Sequence, residues 1–273
     1  MHGNVEAEKS AMPVFVAREE RAEGGCLARV TIDNRTKLNT LHRMLMLEIV
    51  ETIERLEADR DVRLVVLRGA GERAFVGGAN LNELAALDRD TARDFITLVH
   101  RCCDGFRRLP APVIARIDGY ALGAGLELAA ACDLRVASER SRFAMPEVRV
   151  GIPSVVEAAL LPQLIGEGRA RRLLLTGETI DAATAFHWGL VDSVVPPADL
   201  DGAVEQFAAA ILAGGKEALR IQKALMADWQ DLSTSAAIAQ GIDAFVEAHH
   251  GEEPRRMAGM RLAAMRARRR EPR

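Results

Sequence analysis

Short β-branched runs alternate with helix-length amphipathic stretches from the amino terminus to about residue 200, and there the strands stop. No other feature constrains the fold as much, because parallel strands need a helix-length crossover between them, whereas hairpins need only a short turn. Residues 62–69, VRLVVLRG, form a β-branched-rich run ending at a glycine, as expected of a strand buried on both faces. Residues 111–119 (APVIARIDG) and 133–138 (DLRVAS) repeat that character. Residues 142–148 (RFAMPEV) suggest a short fourth strand, and 13–17 and 27–32 are β-like pieces nearer the start. Between these runs, Leu45, Ile49, Ile53 and Leu56 recur at helical spacing, as do Phe95, Val99, Cys102 and Phe106 within 91–109. From 200 onward the pattern is helical over 200–213, 216–230 and 233–249, followed by a basic tail helix. The expected organisation is α/β. A strand-bearing core spans 1–199 and a helical region 200–273 packs against it, since no Pro/Ser-rich linker separates them.

Composition narrows the setting. A net charge of −3 gives no general attraction to nucleic acid or anionic membrane. No apolar run approaches the ~20 residues of a membrane-spanning helix, and MHGNVEAEKSAMPV lacks the basic end and apolar stretch of a signal peptide. Cys26, Cys102, Cys103 and Cys132 form no CxxC pair, which fits a reducing cytoplasm. The histidines are scattered, with His249 and His250 read as a solvated pair, so no metal site is expected.

Two places share one construction, a strand end followed by small residues and a helix: Val76-Gly77-Gly78-Ala79 and Leu122-Gly123-Ala124-Gly125. Small residues there let a ligand approach main-chain N–H groups that the helix leaves free. They equally suit tight helix–strand contact, and composition alone favours that plainer reading. Neither turn has GxGxxG or GK[ST] spacing. Glu127 is harder to explain, because it lies in GAGLELAAAC, a run that otherwise reads as the start of a buried helix. A carboxylate withdrawn from water is costly unless paired, hydrogen-bonded or neutralised.

The stretch 118–153, with AFVGGANLNEL (74–84) before it and LLLTGETIDAATAFHWGLVDSVVP (173–196) after it, resembles the crotonase superfamily, the enoyl-CoA hydratases and isomerases. The likeness covers about residues 28–225. It implies a spiral of ββα units with a helical carboxyl-terminal region that drives trimerisation, as a homotrimer or a dimer of trimers. It also implies an acyl-CoA thioester substrate, with coenzyme A part of that substrate and no separate cofactor. By position, the implied oxyanion donors are the N–H groups of Ala79 and Ala124, and the implied catalytic acids are Glu127 and Glu147. Arg35, Lys37 and Leu38 would stand at the CoA mouth. Gly77, Gly78, Asn80, Leu81, Gly123, Gly125, Pro146 and Ser154 would line the substrate site.

Keeping both acids favours syn addition of water across the C2–C3 bond of a trans-2-enoyl-CoA, with Glu127 activating water and Glu147 protonating C2. The rival readings are a Δ3,Δ2-enoyl-CoA isomerase using Glu147 alone, an RNA-binding homologue using the basic tail, and a silent scaffold. Past Glu147 the chain runs VRVGIPSVVEAALLPQLIG where the family is glycine-rich, and Asn80 and Met145 stand where Asp and Gln are usual. Ser154-Val-Val-Glu157 has the spacing of a capping box, which favours a structural role for Glu157 over a chemical one.

Overall fold

The computed structural model describes residues 13–22 and 24–268. Residues 1–12 of the amino-terminal stretch read for a leader and the last basic residues of the tail lie outside them. The strands are β1 (Val14–Glu20), β2 (Cys26–Ile32), β3 (Val62–Gly69), β4 (Ala74–Val76), β5 (Val113–Ile117), β6 (Tyr120–Leu122), β7 (Leu134–Ser138), β8 (Arg142–Ala144), β9 (Thr179–Asp181) and β10 (Ser193–Val195). The helices of the strand-bearing part are α1 (Arg43–Ala58), α2 (Leu81–Ala85), α3 (Arg89–Arg108), α4 (Ala124–Ala130), α5 (Leu161–Ile165), α6 (Glu167–Thr176) and α7 (Ala182–Trp188). Those that follow are α8 (Leu200–Leu212), α9 (Lys216–Asp228), α10 (Thr234–Ala248) and α11 (Glu253–Arg268). None of them is long and apolar enough to cross a membrane.

From β3 to β8 successive strands alternate between two sheets. The six-stranded sheet runs β1-β2-β3-β5-β7-β10, parallel from β2 onward, and the four-stranded sheet runs β4-β6-β8-β9. Each turn of the chain therefore adds a longer strand to one sheet and a three-residue strand to the other before a helix returns it. The small sheet was not foreseen as a sheet, because β6 and β9 are too short to display any alternation. The strand expected over 142–148 stops at Ala144, since Pro146 offers no N–H to a ladder and Glu147 opens a 3-10 turn over Glu147–Val150.

The central parallel strands β3, β5 and β7 are buried on both faces, as their continuous apolar runs required. Along β3, Val65 and Leu67 join the main core with α1 and α3, while Leu64 and Val66 face the opposite way. That second face is covered by Leu200, Val204, Ala208 and Leu212 of α8. The helical stretch beyond 200 thus begins as a layer of the core. Helix α9 is pinned by Lys223, 4% exposed, whose Nζ donates to Asp133 Oδ2 at 2.7 Å and to the carbonyls of Phe106 and Ala111.

Candidate active site

The two glycine turns of the sequence face each other. Gly78 lies against the Leu122 carbonyl, and a Cβ placed on Gly125 would overlap the carbonyl of Val76. This close approach seats the start of α4 on the end of β4. The 34–41 loop buttresses the first turn: Gly77 N–H donates to Leu38 O at 2.8 Å, and Leu41 N–H donates to Gly78 O at 2.8 Å. Asn39, fully buried, anchors that loop by donating to the carbonyls of Ala70 and Ala74. Among the described residues, the N–H groups of Ala79 and Ala124 donate to no protein acceptor. They are the first donors past each turn, where a helix start or an irregular strand end leaves amides unclaimed.

Glu127 is in the first turn of α4 and is 4% exposed. Burial pushes its carboxyl up to about 8, the neighbouring Glu147 and Glu157 add to the rise, and the backbone of Ala158 opposes it. Glu147 comes from the 3-10 turn after β8, and its Oε1 lies so close to Gly123 that a Cβ there would overlap it. Gly123, at φ 49, immediately precedes α4. Both acids therefore border the same helix start, 20 residues apart in sequence. Ser154 Oγ donates to Glu147 Oε2 at 2.8 Å and holds that carboxylate in place.

The capping box read at Ser154–Glu157 is not formed, and this corrects the capping role read for Glu157. The 3-10 turn Val156–Leu160 follows Val155 without a side-chain cap, because Ser154 turns its hydroxyl to Glu147. Glu157 is buried and directs Oε1 to His100 Nδ1 of α3 at 2.7 Å, leaving Oε2 without a partner among the described residues. Burial raises the Glu157 carboxyl, against the pull of His100. His100, Asp104 and Glu157 bring possible metal-ligand atoms within 4.8 Å of one another. Asp104, however, is committed to Arg108 at 2.7 Å and faces Arg107 at 3.6 Å. Sequence reasoning missed His100 because 57 residues separate it from Glu157; its position one helical turn from Asp104 on α3 was the only signal.

The remaining expected residues are distributed as follows. Asn80 Oδ1 accepts from Asn82 N–H at 2.9 Å, capping α2, and Leu81 is exposed beside it. Pro146 is half-buried between β8 and Glu147. Arg35 and Lys37 are exposed in the 35–37 turn, Arg35 chelating Asp33 through Nε at 2.8 Å and Nη2 at 2.5 Å.

A family model described as enoyl-CoA hydratase/isomerase matches residues 22–264. The crotonyl-CoA hydratase of Syntrophomonas wolfei is 34% identical over 233 residues, 85% of this chain and 88% of that protein. The short-chain-enoyl-CoA hydratase of Clostridium acetobutylicum is 34% identical over 230 residues, 84% of this chain and 88% of that protein. The crystal structure of enoyl-CoA hydratase from Bacillus anthracis superposes with a TM-score of 0.85 at 29% identity, over 93% of this chain and 96% of that one. Likeness of this extent in both sequence and structure shows that the chain belongs to the enoyl-CoA hydratase/isomerase family, with the α/β crotonase fold its motifs led one to expect.

Proposed function

We propose that this protein is an enoyl-CoA hydratase that adds water across the C2–C3 double bond of a trans-2-enoyl-CoA to give the 3-hydroxyacyl-CoA. The observation that carries the reading is the pairing of two carboxyls at the start of α4, one of them raised to about 8 by burial and by its partner. Glu127 is buried and Glu147 half-buried beside it, and two like charges so placed resist joint ionisation, so the pair keeps one proton near neutrality. Hydration needs that state: a base to take a proton from water and an acid to protonate carbon.

The thioester oxygen accepts from the N–H groups of Ala79 and Ala124, which stabilise the negative charge that builds there as water attacks C3. Each such donor is worth about 10²–10³ in rate. Glu127 activates the water and Glu147, held by Ser154, protonates C2, which requires the one proton of the pair to pass from Glu127 to Glu147 as substrate and water enter between them; acids on one face give syn addition. Arg35 and Lys37 meet the CoA phosphates at the rim. Asp33 lies against Arg35, so phosphate competes there with an existing carboxylate. The reaction calls for no redox or electrophilic cofactor.

The subunit works as a homo-oligomer. On α10, Ile238, Ile242, Phe245 and Val246 lie on one helical stripe, and each is more than half exposed. A second copy of this chain covers that stripe in a trimer or a dimer of trimers.

The test is loss of the enoyl-thioester absorbance with crotonyl-CoA and a short panel of longer acyl chains. Glu127→Gln should reduce hydration by about 10²–10⁴, the usual contribution of a general acid or base, with CoA binding retained. An active Glu127→Gln would overturn the assignment. Isomerisation of a 3-enoyl-CoA by that variant, at the wild-type rate, would point instead to an isomerase working through Glu147.

A further inference from the structure

Residues 154–157 reach both acids of the site. Ser154 bonds Glu147. Three residues on, Glu157 is buried where α3, α4 and the 156–160 turn meet, its side chain only 7% exposed. One oxygen is held by His100 and the other is buried without a partner among the described residues. Between them, Val156 has φ 41, a left-handed conformation that a β-branched residue adopts only where its surroundings impose it. An orphaned carboxylate oxygen, a strained valine and a serine bound to the neighbouring acid, all within four residues, ask for a functional reason. Helix capping is not that reason, since no cap is formed.

We propose that Glu157, anchored by His100, is a third carboxyl of this site: a positioning residue that holds the Glu127–Glu147 pair in its singly protonated form. The proposal rests on the hydratase reading for its purpose, though not for its physics. A third like charge in the same dry corner increases the work of ionising Glu127. Glu157 stands among the groups that push the Glu127 carboxyl upward, after burial and Glu147.

The other groups facing this corner act as follows. From α3, His100 holds Glu157, and Asp104 is turned to Arg107 and Arg108. Cys103 is fully buried, and its thiol is pushed well up by burial and by the charges of both Glu157 and Glu127, so it lies in the field of both carboxyls. Cys102 is raised to about 12 by burial, with Arg101 opposing, and stays a neutral thiol. Helix α4 contributes Glu127 and the 147–150 turn contributes Glu147, while α5 carries no titratable side chain. His100, with half its side chain exposed, links the buried cluster to solvent.

The experiment is an infrared pH titration of the free enzyme, following the protonated-carboxyl band that disappears in Glu127→Gln. In the wild type its midpoint should lie near pH 8. In Glu157→Gln, a near-isosteric change, the midpoint should fall by about one pH unit, the lower end of a like-charge effect. With the substrate the wild type hydrates best, the alkaline limb of kcat/KM should move the same way. The same variant should lose on the order of tenfold in kcat with KM nearly unchanged, less than removal of a general acid or base itself. Glu157→Ala, which deletes the carboxyl outright, carries the same expectation should the glutamine variant not fold. An unmoved Glu127 midpoint in a folded variant overturns the proposal. A wild type inactive on every thioester, but with the midpoint displaced in Glu157→Gln, would remove the hydratase reading and leave the coupling standing.

Discussion

Glu127 should make the stability of the whole fold depend on pH. Its carboxyl titrates at 4.5 in an ordinary setting and at about 8 in the native protein. Between those values the native state keeps a proton that the unfolded chain has released, so stability falls as pH rises through the interval and levels off above it. Glu127→Gln carries no such penalty. Its stability relative to wild type, measured by urea denaturation, should therefore grow by a few kcal/mol between pH 5 and pH 9, while hydration is lost. An equal difference at both pH values would mean that Glu127 is ionised in the native protein at pH 5. That carboxyl was legible in the sequence because charge is out of place in GAGLELAAAC. Glu157 was misread for an equally physical reason. The S-x-x-E spacing is the same whether serine caps a helix or turns away from it, and only the 3-10 geometry after Val155 distinguishes the two.

At the scale of elements, the site depends on how closely the start of α4 sits on the end of β4. Gly125 permits that contact, and a methyl group there meets the main-chain carbonyl of Val76, which cannot give way as a side chain would. Gly125→Ala should cost about 1–3 kcal/mol in urea denaturation, as overpacking does. It should also part the two turns, so that kcat falls by about 10²–10³ even where the variant is fully folded. Unchanged kcat would show that the two turns act independently. Long elements were legible from periodicity alone: every residue expected on the buried faces of α1 and α3 is buried. The three-residue strands β6, β9 and β10 were not, because their hydrogen bonds come from partners such as β8 and β7 rather than from any local pattern. The site therefore stands on elements of both kinds, with a helix visible in advance seated on a small sheet that was not.

Across the whole molecule, the helices beyond residue 200 divide by what covers them. Helix α8 lies on the large sheet, whereas the apolar stripe of α10 remains open to solvent. Helical spacing looks alike in both, and the sequence alone could not tell a layer of the core from an open face. Burying one such side chain is worth roughly 1.5–3 kcal/mol, so Phe245→Glu should reduce the assembly to monomers by light scattering and leave the monomer folded. An unchanged mass would place the subunit contact elsewhere. The two unengaged amides at Ala79 and Ala124 bear on how such a chain can drift over generations. They belong to the main chain, so replacing either alanine by any residue but proline leaves an N–H behind, and the choice of side chain there is limited by fit, tightly at buried Ala124, rather than by the chemistry. A lineage can then alter the letters around its reaction centre while inheriting the curve of the chain, and kinship in this chemistry is better traced through shape than through residue identity.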